Sequence, residues 1–254
     1  MEVDERSVLI AVADGVATLT LNRPEQHNAL TAAMIRRVRA AVAEADARDD
    51  VEALVLTGAG GSFCAGLDLD ELSTTCANLV EGGKGMPVHE TVKPLIGAVD
   101  GVAVAGGLEL ALQCDFLIAS DRARFADTHA RVGVIPGWGA AAVLPHLVGP
   151  RNALSMSLTG RFVHAPEALA LGLVSEVVPA AELAGRARLR ATQIVGNDSP
   201  TVRALLALVR RTGRASLGEA IELEAEATAA WNSGVREQDI AGRRASIFER
   251  NAEM

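Results

Sequence analysis

A chain of 254 residues, 49% hydrophobic and 22% charged, is long enough for one large domain, alone or with a small appendage, and needs no covalent staples to hold its core. Its 24 Lys and Arg against 32 Asp and Glu give a net charge of -8, so neither nucleic acid nor an anionic membrane is an expected partner. Cys64, Cys76 and Cys114 form no CxxC pair and leave an odd count, which fits reduced thiols acting as small buried hydrophobes in a cytoplasmic protein. The start MEVDERS has neither the basic nor the apolar stretch of an export signal.

Ser7 to Ala13 and Val16 to Leu21 flank Asp14-Gly15, a strong hairpin signal, so the chain opens with β structure. Met34, Ile35, Val38, Ala41, Val42 and Ala45 then recur at helical spacing between Thr31, a suitable N-cap, and Arg48. The short apolar run Ala53 to Thr57 suits a buried parallel strand, which implies a βαβ crossover. Leu95 to Val99 and Phe116 to Ala119 read as further buried strands around a short helix from Gly107 to Gln113. That passage, Pro94 to Ala119, is too punctuated by Asp100, Glu109 and Asp115 to span a membrane. Helices over Ala140 to Leu147 and Arg151 to Leu158 and a strand over Ser175 to Val178 follow. Beyond Ala180 the pattern is helical: Glu182 to Val195, Pro200 to Arg210, Leu217 to Asn232 and Val235 to Arg250. The character changes near residue 195, dividing the chain into 1–195 and 196–254, and a tail with unfilled apolar faces predicts a homo-oligomer. Glu81 to Gly85 looks like a mobile loop.

Two glycine-rich stretches, Gly58 to Leu69 and Gly101 to Glu109, each follow a predicted strand. Neither is a dinucleotide loop, because Phe63 stands where GxGxxG requires glycine, and no GxxxxGK[ST] occurs. Ser62 lacks the GxSxG elbow, since Cys64 takes the last glycine's place. Two facing turns with free N–H groups at helix starts would instead make an oxyanion hole for a thioester. The other reading, glycines needed only for tight turns, stays open. Glu109 is a carboxylate in an apolar helix start, where desolvation and the helix terminus push its proton affinity in opposite directions. Its alternative is a structural Glu that caps its own helix or pairs with an arginine. His129 sits at the start of a short helix capped by Asp127 or Thr128. His27, His89, His129, His146 and His164 show no HxxxH or HExxH spacing, so no metal site is expected.

These segments resemble the enoyl-CoA hydratase/isomerase, or crotonase, superfamily over nearly the whole chain. Leu21-Asn22-Arg23-Pro24 with Asn28-Ala29-Leu30, Ser62 to Leu69, Asp100 to Gly107, Ile135-Pro136-Gly137 and Ala170 to Val174 are similar to its motifs, in order. The resemblance implies an α/β spiral of ββα units with a C-terminal helical oligomerisation region, as a homotrimer or homohexamer. It implies that the Leu67 and Gly106 N–H groups bind the thioester oxygen, and that Phe63, Ala65, Leu67, Asp68, Leu69 and Gly106 line the CoA substrate, with no further cofactor. Hydratases of this kind carry two glutamates about the attacking water. Glu109 matches the first, whereas the second falls on His129, a departure at a chemically decisive place.

The implied reaction is addition of water across the 2,3-double bond of an enoyl-CoA, with Glu109 activating water and His129 placing water or a proton. Double-bond isomerisation, thioester hydrolysis, C–C cleavage and a non-catalytic acyl-CoA binder are the competing readings. Trp138 and residues 81–88 are candidates to shape the acyl pocket, and Arg23, His27 and Arg250 to meet CoA phosphates.

Overall fold

The protein is described by a computed structural model covering residues 5–88 and 91–252, so His89 lies outside the described residues. The hairpin forms as the Asp14-Gly15 signal requires: β1 (Val8–Ala13) and β2 (Val16–Leu21) pair antiparallel across a turn in which both central residues have positive φ, 51° and 76°. α1 (Ala32–Ala47) starts where Thr31 accepts the Met34 N–H at 3.2 Å. It returns the chain to β3 (Ala53–Gly58), parallel to β2. The expected βαβ crossover is therefore present.

Two short helices, α2 (Leu69–Thr74) and α3 (Ala77–Gly82), precede β4 (Leu95–Val99). Then come β5 (Val102–Val104), α4 (Gly106–Leu112), β6 (Phe116–Ser120) and β7 (Arg124–Ala126). After α5 (His129–Val132), α6 (Ala140–Val148) and α7 (Pro150–Thr159), the two-residue β8 (Val163–His164), α8 (Ala165–Ala170) and β9 (Glu176–Val178) lead to α9 (Leu183–Val195).

The strands make two sheets. One has the order β1-β2-β3-β4-β6-β9, parallel except for the hairpin, and the other has the order β5-β7-β8. Successive turns of the chain thus place one longer strand in the large sheet and one short strand in the small one, as β4 then β5 and β6 then β7. An isolated parallel bridge between Cys64 and Ala103 adds the segment after β3 to the same progression. This is the spiral of ββα units. The small sheet and the helices α2, α3 and α8 were not expected from the sequence, because strands of two or three residues show no period and β5 lies within a stretch that reads as a glycine loop.

Alternation along the buried strands distributes side chains to two layers. Leu54 and Leu56 face the large core with Met34, Ile35, Val38 and Val42 of α1, whereas Ala53 and Val55 pack with Leu183, Ala187 and Ala191 of α9. The large sheet is therefore covered on both faces, as its near-continuous apolar strands require.

The chain divides into two compact units, Met1–Ser199 and Pro200–Met254. In the second, α10 (Ser199–Thr212) and α11 (Leu217–Asn232) bury no residue, α12 (Glu237–Ala252) follows, and Leu205, Val209, Leu217 and Ile221 are all more than half exposed. Among the described residues no helix is long and apolar enough to cross a membrane.

Two expectations are corrected. Cys76 is exposed rather than a buried hydrophobe, while Cys64 is buried, its thiol pushed up to about 12 by desolvation. The segment from Glu81 is anchored rather than loose: buried Glu81 ends α3 and receives Arg39 Nη1 at 2.5 Å and Lys84 Nζ at 2.8 Å, and Arg39 Nη2 reaches the Gly85 carbonyl at 2.6 Å. Arg36 and Arg39 of α1 thus tie this segment to that helix through one carboxylate, which Lys84 also meets from within the segment.

Candidate active site

The two glycine-containing segments are brought side by side by backbone pairing. Cys64 N–H donates to Val102 O at 2.8 Å and Val104 N–H to Cys64 O at 3.0 Å. Asn28, buried with φ 58°, secures the first segment by donating to the carbonyls of Ala59 and Ser62 while accepting the Arg23 N–H. The approach is close enough to exclude side chains. A Cβ on Gly107 would lie 2.1 Å from Cys64 O, and one on Gly66, itself at φ 94°, would lie 2.8 Å from Val104 O and 3.5 Å from Gly106 N. Close backbone approach, beyond the tight turns that were the alternative to an oxyanion hole, is thus one use of these glycines.

Beyond Gly66, Leu30 N–H bonds to Gly66 O at 2.7 Å and Asp68 N–H to Leu30 O at 2.9 Å. In an extended segment this pairing turns the Leu67 N–H away from Leu30. On the neighbouring segment Ala105 holds φ 47°, ψ -116°, a conformation rare for a residue with a Cβ, and is tied to β7 by its N–H to Ala126 O at 3.0 Å. This turn takes the chain abruptly from β5 into α4, whose first residue, Gly106, borders a cleft. Leu67, Gly106, Glu109 and His129 all line that cleft, of about 260 Å³, together with Trp138, Gly82 and Ile135.

Glu109 is 2% exposed. Its Oε1 accepts the backbone N–H of Trp138 at 2.7 Å and of Ala140 at 3.2 Å. The carboxylate therefore does cap a helix, but it caps α6 rather than its own, and no arginine pairs with it among the described residues. Both donors are spent on Oε1, and Oε2 faces His129 Nε2 at 3.4 Å. The other acids of the apolar passage do structural work elsewhere. Asp100 takes Ser120 Oγ and Arg122 Nε, each at 2.7 Å, and Asp115 accepts the Leu95 N–H.

His129 is likewise buried, and its Nδ1 is 2.6 Å from Asp127 Oδ1. Burial opposes the charged ring, but the hydrogen bonds to Asp127 and Glu109 and the charges of both prevail, raising the imidazole from 6.5 to about 9. Thr128 is the N-cap residue of α5 without a side-chain cap bond; Asp127 Oδ1 accepts the His129 N–H at 3.3 Å in addition to the ring contact.

Of the residues expected along CoA, Ala65, Leu67 and Asp68 are half-buried and Leu69 is exposed, while Phe63 is fully buried in the core and offers no side-chain surface to a ligand. Asp68 caps α2 through the Glu71 N–H and pairs with Arg23 Nη1 at 3.0 Å. His27 is exposed, and the Arg250 side chain lies outside the described residues. Trp138, a candidate to shape the acyl pocket, lines the cleft, its ring Nε1 donating to Gly82 O at 2.9 Å. The part played by its backbone N–H was not legible, nor were Asn28, Ala105 or the pairing of Asp127 with the imidazole. No group of His, Cys, Asp and Glu among the described residues is arranged to hold a metal ion.

Residues 11–242 match the family described as enoyl-CoA hydratase/isomerase. An Arabidopsis thaliana protein named "Probable enoyl-CoA hydratase 1, peroxisomal" is 36% identical over 90% of each chain. A short-chain-enoyl-CoA hydratase of Clostridium acetobutylicum is 35% identical over 87% of each. The solved enoyl-CoA hydratase of Mycobacterium avium superposes with a TM-score of 0.76 at 48% identity, covering 89% of this chain and 96% of that one.

Proposed function

This chain belongs to the enoyl-CoA hydratase/isomerase family, and we propose from that premise that it hydrates a 2-enoyl-CoA with Glu109 as base and His129 as acid. The carrying observation is the Glu109–His129 pair: Oε1 immobilised by two backbone donors, Oε2 left to face the cleft-lining imidazole at 3.4 Å, and that ring held in its protonated form above neutral pH. One group is poised to take a proton and the other to give one, as addition of water requires.

In the proposed step, water loses a proton to Glu109 Oε2 as its oxygen bonds to the β-carbon. The electrons of the 2,3-double bond move through the α-carbon onto the thioester oxygen. The Leu67 and Gly106 N–H groups receive that enolate charge, a role supported by the strained Ala105 turn and the close approach of Gly66 to Gly106. The enolate then returns its electrons and takes the Nε2 proton at the α-carbon. His129 is left neutral and Glu109 protonated, and transfer from Oε2 to Nε2 restores both. The acyl-CoA is the substrate, and nothing in this scheme draws on another cofactor.

Incubation with a 2-enoyl-CoA in H₂¹⁸O tests the reading. A 3-hydroxyacyl-CoA carrying one ¹⁸O at the β-carbon is expected. A shifted double bond, free CoA or a shortened acyl chain would instead mark isomerisation, hydrolysis or cleavage, and unchanged thioester a binder.

Exposed apolar residues on α10 and α11 support the further proposal that residues 196–254 form the oligomerisation region of a homotrimer or homohexamer, with residues 1–195 as the catalytic core. A cytoplasmic setting is supported by the free cysteines alone.

A further inference from the structure

We propose that Asp127 is a positioning residue of this site: buried behind the imidazole, it fixes the direction of His129 and keeps that ring in its proton-donating form. The inference rests on the roles given to Glu109 and His129 above and extends the site by a residue that touches no reacting atom. Asp127 is 2% exposed, and a carboxylate removed from water needs compensating donors or a cation. What it has is the His129 ring at 2.6 Å and the His129 N–H at 3.3 Å, and the Ser157 side chain of α7 also favours its charged form. Arg131, the nearest cation on α5, is turned to the carbonyls of Thr159 and Gly160. Glu109 faces the ring from α4. The imidazole thus lies between two carboxylates, one at each nitrogen.

This geometry does two things. Bonding Nδ1 to Asp127 leaves Nε2 as the nitrogen directed to Glu109 and the cleft, so the ring cannot present the wrong nitrogen to substrate. Two carboxylates around one imidazole also make the protonated ring the favoured partner, so that a proton donor persists above neutral pH. Once Glu109 has taken a proton from water, its attraction for the ring falls while that of Asp127 persists. Asp127 therefore keeps the ring aligned at the moment its proton leaves.

The test is Asp127→Asn, which preserves shape while removing charge, read first by NMR titration of the His129 ring in the free protein. That readout needs no substrate and so stays informative even if the chain proves not to be a hydratase. A midpoint falling from about 9 toward 6.5 is expected. In the hydration assay the alkaline limb should move with it. Were the midpoint to reach 6.5, the protonated fraction at pH 8 would drop roughly 30-fold, and kcat falls in proportion to that fraction, at little change in KM. Asp127→Glu should recover part of both. Ser157→Ala, which spares the carboxylate, should leave the ring protonated at pH 8, and it provides a folded comparison if the Asn variant is unstable. An Asp127→Asn protein with an unmoved His129 midpoint and an unmoved alkaline limb overturns the proposal, even if its Tm is lower, because that result describes a purely structural carboxylate. So does a wild-type ring that titrates near 6.5.

Discussion

Glu109→Gln separates the chemical from the structural duty of the side chain. In the native protein Oε1 accepts the amides of Trp138, just before α6, and Ala140, its first residue, at 2.7 and 3.2 Å, and Oε2 faces the imidazole. A glutamine can present its carbonyl oxygen to the same two N–H groups, which preserves the cap. Its amide nitrogen must then point at His129, placing a donor where a proton acceptor stood. Losing a positioned general base removes about 10²- to 10⁴-fold in rate, so kcat should fall by that factor while Tm, with the cap kept and only the charge beside His129 lost, falls less than in Glu109→Ala. Glu109→Ala instead leaves two buried amides without an acceptor, at about 1–3 kcal/mol each, and should lower Tm as well as rate. The assay is the loss of ultraviolet absorbance of the conjugated enoyl thioester, with thermal unfolding in parallel. Hydration by Glu109→Gln within about threefold of wild type would refute the assignment of Glu109 as base, since that assignment requires the 10²-fold minimum.

The pH dependence of stability follows from the same cluster. The His129 ring is raised from 6.5 to about 9 in the folded protein, so its contribution is whole below about 6.5 and is lost as pH climbs through 9. The loss is on the order of 3 kcal/mol at most, shared with its carboxylate partners. Urea midpoints should decline over that window in the wild type and much less in His129→Gln; equal slopes would remove the ring as their cause. Gly107→Ala places a Cβ 2.1 Å from Cys64 O, where only backbone can yield, and should cost more than about 2 kcal/mol and most activity. Gly137→Ala, whose Cβ meets nothing within 4 Å, should be neutral in Tm, and similar melting of the two variants would show that the loops are not tightly apposed. Sedimentation of the full chain should give three or six times 26.4 kDa. Leu205→Glu with Val209→Glu on α10 should shift it toward the monomer, and a monomeric wild type at micromolar concentration would end the oligomer proposal.

What the sequence by itself determined was local or periodic. Asp14-Gly15 specifies a hairpin turn because both residues tolerate positive φ. The spacing of Met34 to Ala45 specifies one buried helix face, and the unbroken apolar runs at Ala53 and Leu95 specify strands covered on both sides. Glu109 stood out because a carboxylate in an apolar helix start demands a reason, and His129 because of the motif it interrupts. Tertiary structure alone decided what those side chains do. The strands of the small sheet are too short to carry a period, and they become strands only when Cys64, β5 and β7 meet across the spiral. Glu109 is held by amides of residues 138 and 140, far along the chain from it, and backbone donors leave no mark in side-chain identity. Asp127 reads locally as a helix cap and does accept its amide. Burial and the 2.6 Å contact with the ring turn that cap into the partner of the imidazole, because the strength of a charged pair is set by its dielectric surroundings, which no sequence spacing records.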